Sequence, residues 1–162
     1  MARSFVLVGL VLSIAVSLEA SEETMRGITS SFLKVLDQCK KELELGDHIL
    51  SDLYHFWKED ASLVHRDTGC AIVCMSKKLD LLDTSGKLHH GNAQEFAVKN
   101  GAAEDVAAKL VTLVHECEQQ HEATEDGCLR ALDVAKCFRN SLREIQWAPT
   151  MEVVVSEVLT EI

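Results

Sequence analysis

Apolar residues recur every three or four positions through most of the chain. Met25, Ile28, Phe32, Val35, Leu36 and Cys39 form one such stripe, the signature of a helix with a single buried face. Asp47 is placed to cap a short helix ending at Trp57, and Asp67 or Thr68 to cap another through Cys70, Val73, Cys74 and Leu79. Asn92-Ala93-Gln94-Glu95 fits a capping box ahead of Phe96. Val106, Leu110, Leu113, Val114 and Cys117 mark a fifth helix. A sixth runs from about Asp126 to Gln146 through Leu129, Leu132, Val134, Phe138, Leu142 and Ile145. Gly46, Gly69, Gly86, Gly101 and Gly127 are expected where the chain breaks. There is no internal repeat, no linker and no convincing strand pair. The pattern predicts one all-α domain, a compact array of about six helices.

The two ends depart from this pattern. Pro149 breaks the sixth helix, and Thr150 can cap a further one. On a helical wheel Met151, Val154, Val155, Val158, Leu159 and Ile162 share one face, with Glu152, Glu157 and Glu161 at its edges or behind it. Residues 150–162 thus read as an amphipathic tail without a basic residue, although Val153-Val154-Val155 would also suit a strand. Ionised carboxylates resist burial, so the tail should stay outside an apolar interior at neutral pH and enter it as a helix once protonated. At the other end, Arg3 precedes an apolar run over residues 5–16, and Leu18-Glu19-Ala20 offers a small residue before a cut. Residues 1–20 read as a secretory signal peptide, since so short a run cannot span ~30 Å of hydrocarbon. Residues 21–162 are then the mature, soluble domain.

Composition narrows the function. Lys+Arg number 16 against 26 Asp+Glu, a formal net charge of -10. A chain so acidic lacks the basic face that nucleic acid requires. With 47% hydrophobic but 5% aromatic residues, aliphatic side chains must fill most of the core. No Gly-x-Ser-x-Gly, His-Glu-x-x-His or evident carboxylate pair is present, so no enzyme is expected. Six cysteines in a secreted chain predict three disulfides, and their count leaves fifteen pairings open. Cys70 and Cys74 lie one turn apart and are better placed to staple two different partners than each other. Cys128 and Cys137 fall on opposite sides of their helix. A shell cross-braced in this way need not fill its centre, which is what a ligand carrier requires. Seven histidines invite a metal reading. However, His115-Glu116-Cys117-Glu118 is not a metalloprotease motif, and adjacent His89 and His90 point apart on a helix. No metal site and no cofactor are expected, and His48 and His121 read as solvated and inert.

The spacing Cys-x30-Cys-x3-Cys-x42-Cys-x10-Cys-x8-Cys resembles that of the six-cysteine insect odorant-binding proteins. Phe56-Trp57-Lys58-Glu59, Thr68-Gly69-Cys70-Ala71-Ile72, Leu88-His89-His90-Gly91-Asn92-Ala93 and Trp147-Ala148-Pro149 look like the pheromone-binding proteins of moths. General odorant-binding proteins, which take broader plant odorants, are the near alternative. The resemblance implies an all-helical fold bridged Cys39–Cys74, Cys70–Cys128 and Cys117–Cys137. A saposin-like module, the competing helical reading, would instead join its terminal helices. The resemblance also implies an apolar cavity for a long-chain unsaturated alcohol, acetate or aldehyde. Phe32, Phe56, Trp57 and Phe138 match its aromatic positions, and Ser76 matches a hydroxyl that binds a polar head. Met25, Ile72, Leu81, Leu82, Leu88, Phe96 and Val114 match apolar wall positions. Val73 stands where some relatives carry a polar group.

By the same resemblance, His89, His90 and His115 match a cluster beneath a gating loop, and Asp83 and Arg130 a pair that latches it. A free imidazole titrates near pH ~6.5. The expectation is therefore a secreted carrier of the antennal sensillar lymph, a monomer or weak homodimer, that meets a receptor or the membrane of an olfactory neuron. Acidification would charge the histidines, neutralise Glu152 and Glu161, and let the tail compete for the cavity.

Overall fold

The computed structural model describes residues 2–58 and 64–160, with side chains placed from Glu19 onward. Seven helices occupy the described residues: α1 (Ala2–Glu42), α2 (His48–Trp57), α3 (Arg66–Lys78), α4 (His90–Lys99), α5 (Glu104–Gln120), α6 (Gly127–Glu144) and α7 (Met151–Thr160). α1 runs unbroken from Ala2 through the stripe at residues 25–39. No strand forms among the described residues. A single antiparallel bridge between Leu82 and Leu88 folds the α3–α4 connection back on itself, and Gly86, at φ 81°, makes its turn.

The helix starts show where local signals yield to tertiary ones. Asp126 caps α6 as the sequence predicts, its carboxylate accepting from Cys128 N and Leu129 N at 2.9 Å each. Asp47 stands at the head of α2 but makes no capping bond, because Lys40 Nζ, 2.7 Å away, takes its carboxylate. α3 starts at Arg66, before the expected Asp67 or Thr68. Its head is held from outside: Asp52 Oδ2, on α2, accepts from His65 N and from the Thr68 hydroxyl, both at 2.7 Å. α4 also starts earlier, at His90. The His89 ring Nδ1 accepts from Asn92 N at 3.2 Å, and the Asn92 amide instead donates to the Asp80 carbonyl at 2.8 Å.

Gly69, expected at a break, lies inside α3. It faces α6, where a Cβ would stand 1.9 Å from the Cys128 carbonyl oxygen. Glycine is required there for close helix approach, not for a turn. Beside it, Cys70–Cys128 brings the two backbones to a Cα–Cα distance of 4.5 Å. Cys39–Cys74 ties α1 to α3, and Cys117–Cys137 ties α5 to α6. The geometry thus selects, from the fifteen open pairings, the one the resemblance implies.

Two buried clusters form the core. One joins Met25, Leu110 and Leu142 to Ala148, Met151, Val154 and Val155, and the other joins Leu33, Leu36, Ile49, Ala71 and Met75 to Val158. α7 therefore spans both. Its buried face is the predicted one as far as Leu159, while Val153 stays half exposed. Burying each such side chain contributes about 1.5–3 kcal/mol before ordering costs, enough to hold a ten-residue helix against α1 and α2. Polar contacts fix its ends: Ala148 N donates to Ser21 Oγ at 3.0 Å, the Thr150 hydroxyl to Glu22 at 2.5 Å, and Arg26 pairs with Glu157. Ile162 and Glu161 lie outside the described residues.

Candidate functional site

One cavity of about 560 Å³ opens between α1, α3, α4, α5, α6 and the loop joining α3 to α4. That volume falls in the range of ligand pockets, ~300–1,000 Å³. Its lining follows helical periodicity. α6 presents Gly127, Arg130, Ala131, Val134, Ala135 and Phe138, a single stripe. α5 presents Leu110, Val111, Val114 and Glu118, and α1 presents Ile28 and Phe32. Phe32 and Phe96 meet edge to face in the lining, centroids 5.9 Å apart. Ala93, Ala97, Ala131 and Ala135 line the walls. These short side chains at core-facing positions leave space that leucines would fill.

The expected residues divide into two groups. Phe32, Ile72, Ser76, Leu81, Leu82, Leu88, Phe96, Val114 and Phe138 line the cavity. Met25, Phe56 and Trp57 do not. Met25 and Trp57 pack on Met151, Val154 and Val155, because α7 occupies the ground beside them. Phe56 is buried against Trp57 and beneath the Arg139 guanidinium, 5.0 Å from its ring. The α2 C-terminus is pinned there, with Arg139 donating to the Phe56 carbonyl and Arg143 to that of Trp57. Ile28, Phe138 and Leu110 serve both regions, so the tail seat and the cavity are neighbours sharing a wall.

The polar side of the site is the α3–α4 loop. Glu118 on α5 reaches it with one oxygen, accepting from Leu88 N at 2.7 Å, and contacts His115 Nδ1 at 2.9 Å with the other. His115 in turn stacks on His90, centroids 5.6 Å apart and planes 7° from parallel. His89 stands apart as the cap of α4. The Asp83–Arg130 latch is not formed. Asp83 is engaged within its own loop by Ser85 and Lys87, bonds that hold its carboxyl below the usual range, Ser85 Oγ foremost. Arg130 donates to the Thr124 carbonyl at 3.3 Å. The loop is fastened instead by Lys87 to Glu122 at 2.8 Å. That hydrogen bond and charge raise the lysine and lower the glutamate. Hydrophobic periodicity could not single out Glu118, Lys87 or Glu122, since it tracks apolar positions and not charged ones.

Three interleaved bridges brace a shell around an apolar hollow whose lining carries Ser76 and Ser85 and whose rim is charged. The PBP/GOBP family model fits residues 21–141. The chain belongs to the PBP/GOBP family. Pheromone-binding protein 2 of Epiphyas postvittana is 44% identical over 151 residues, covering 93% of this chain and 92% of its own. General odorant-binding protein 1 of Antheraea pernyi is 40% identical over 143 residues, covering 88% of this chain and 85% of its own. The crystal structure of Epiphyas postvittana Pheromone Binding Protein 3 superposes with a TM-score of 0.67 at 62% identity, covering 72% of this chain and 99% of that one. PBP/GOBP proteins are carriers rather than enzymes. Among the described residues no helix is long and apolar enough to cross a membrane.

Proposed function

We propose that this PBP/GOBP chain is a secreted carrier for a long-chain apolar semiochemical, an unsaturated alcohol, acetate or aldehyde, in antennal sensillar lymph. The observation that carries the reading is the cavity lined by Phe32, Phe96, Val114 and Phe138 with the Ser76 hydroxyl in its wall. An alkyl guest gains ~0.8 kcal/mol per buried methylene. A dozen give about 10 kcal/mol gross, and micromolar affinity needs ~8 kcal/mol net, so most of the chain must be enclosed. Ser76 favours an alcohol head. Val73, also in the lining, offers no polar group to an acetate or aldehyde head. A general odorant-binding protein with broader plant-odorant ligands is the alternative reading. Residues 1–20 serve as the export signal.

Release accompanies acidification. A proton on His115 would break the balance among His90, His115 and Glu118, and with it the hold on Leu88 N. Neutral Glu152 and Glu161 would let α7 leave its seat beside the cavity and compete for the cavity itself at high effective concentration, across the shared wall at Ile28 and Phe138. The test is displacement of a fluorescent apolar probe by long-chain alcohols, acetates and aldehydes at neutral and acid pH, for the whole chain and for one ending at Pro149. The reading expects one site per chain and an affinity loss on acidification that truncation reduces. Equal losses in both forms would remove the tail from the release step.

A further inference from the structure

Away from the cavity, α2 meets the head of α3 at three metal-ligating side chains. His48 and Asp52 stand one turn apart on α2, and His65 precedes α3. One donor atom from each lies within 4.8 Å of the others. His65 Nδ1 is 3.1 Å from Asp52 Oδ1 and 3.0 Å from Oδ2, and the two imidazoles meet edge to face with centroids 5.0 Å apart. Asp67 adds an oxygen on the same rim, 3.8 Å from His48 Nε2.

The arrangement is oriented like a ligating shell. The Asp52 side chain is 3% exposed. Its Oδ2 is fixed by His65 N and the Thr68 hydroxyl, and both carboxylate oxygens lie close to His65 Nδ1. Outer hydrogen bonds of this kind hold a ligating carboxylate in place. The imidazoles are 37% and 65% exposed, so a cation arriving from water meets two nitrogens and behind them a buried anionic oxygen. We propose that His48, Asp52 and His65 bind a divalent transition metal of the zinc type, with Asp67 or water completing the shell. Imidazole donors select zinc, copper or nickel, whereas calcium and magnesium take oxygen. Tetrahedral zinc, at ~2.0–2.1 Å from each donor, wants donors about 3.4 Å apart. His65 and Asp52 are near that spacing already, and only the His48 ring has to swing inward.

The bound ion replaces the His65–Asp52 hydrogen bond and clips α2 to α3. Because Ile49 of α2 is buried with Val158, the clip also stiffens one wall of the tail seat. Sequence pattern assigns His48 no such role: its third partner is remote in the chain, and His-x-x-x-Asp alone is an ordinary exposed helix face.

The test is titration of Zn²⁺ alone into the purified full chain by calorimetry near neutral pH, with thermal unfolding in parallel. His48→Ala, His65→Ala and, as a control, His121→Ala are compared. His48 is half-buried and outside the hydrophobic clusters, so its alanine variant should fold, and its own metal-free Tm is the baseline for the zinc-dependent shift. The expected result is one equivalent bound, weakened at least about tenfold by either His48→Ala or His65→Ala and untouched by His121→Ala, with a zinc-dependent rise in Tm that His48→Ala abolishes. The proposal is overturned by the absence of saturable uptake, or by uptake that the His48 and His65 variants leave unchanged.

Discussion

Gly69→Ala is the sharpest perturbation the packing offers. The new Cβ would lie 1.9 Å from the Cys128 carbonyl oxygen, 2.8 Å from its carbon and 3.2 Å from Leu132 Cβ. Carbon–oxygen contacts relax only at about 3.3 Å, so α3 and α6 have to separate by more than an ångström, on the order of the shift that over-packed cores resist. Retreat is blocked next door, where Cys70–Cys128 holds the Cα atoms at 4.5 Å. The cost therefore sits at the upper end of over-packing, ~3 kcal/mol. At about 2–4 °C per kcal/mol for a chain of this size, Tm should fall by roughly 6–12 °C. The assay is thermal unfolding by circular dichroism with the disulfides intact. Gly127→Ala is the control, since nothing lies within 4 Å of its Cβ position and it should change stability by less than ~1 kcal/mol. A Gly69→Ala protein that melts with the wild type would refute the claimed contact between the two helices.

Four further outcomes are expected. Ser76→Ala should weaken a long-chain alcohol about five- to tenfold, the equivalent of ~1 kcal/mol for one hydrogen bond, and leave an alkane unchanged in the same displacement assay. Glu118→Gln keeps an acceptor for Leu88 N but loses the carboxylate beside His115, so it should flatten the pH dependence of binding more than it lowers neutral-pH affinity. Val155→Asp places a charge at a position 2% exposed; it should undock α7 at pH 7, seen as faster proteolysis beyond Pro149, and restore docking as the pH falls. Asp52, Asp83, Glu122 and Asp126 all have lowered carboxyl pKa values. At Asp52 burial pulls upward, and the bonds from Thr68 and His65 outweigh it. Groups of this kind stabilise the fold above the ordinary carboxylate pKa and lose that contribution as pH falls through the lower folded value. Denaturation curves should thus be level near neutrality and decline below about pH 4, well under the pH ~6.5 at which a free imidazole titrates. Ligand release that coincides with unfolding would contradict the gate.

The helices are legible in the sequence because each buries one face, and the spacing of Leu110, Val114 and Cys117 or of Val134, Phe138 and Leu142 is set by that burial. The tail face is legible for the same reason. Helix starts are not, where the capping group comes from elsewhere in the fold: Asp52 lies fourteen residues before Arg66 and reaches α3 only across the packed interface. Gly69 misleads because a glycine needed for close helix approach looks, in sequence, like one needed for a turn. Of the aromatic positions, Phe32, Phe96 and Phe138 face the hollow, whereas Phe56 and Trp57 serve the α2 terminus and the tail seat. Apolarity marks burial but does not say which of two adjoining interiors a side chain enters. The alanines at 93, 97, 131 and 135 carry the signal that periodicity passes over, since a hollow is made by what is small at a buried position.

The central claim is that the hollow between α1, α3, α4, α5 and α6 takes one alkyl guest. A crystal structure grown at neutral pH with a long-chain alcohol tests it directly. The alkyl chain should lie along Phe32, Phe96, Val114 and Phe138 with its hydroxyl in hydrogen-bond reach of Ser76. An alcohol found only in the tail seat against Met151 and Val155, or a cavity closed by its own side chains, would contradict it.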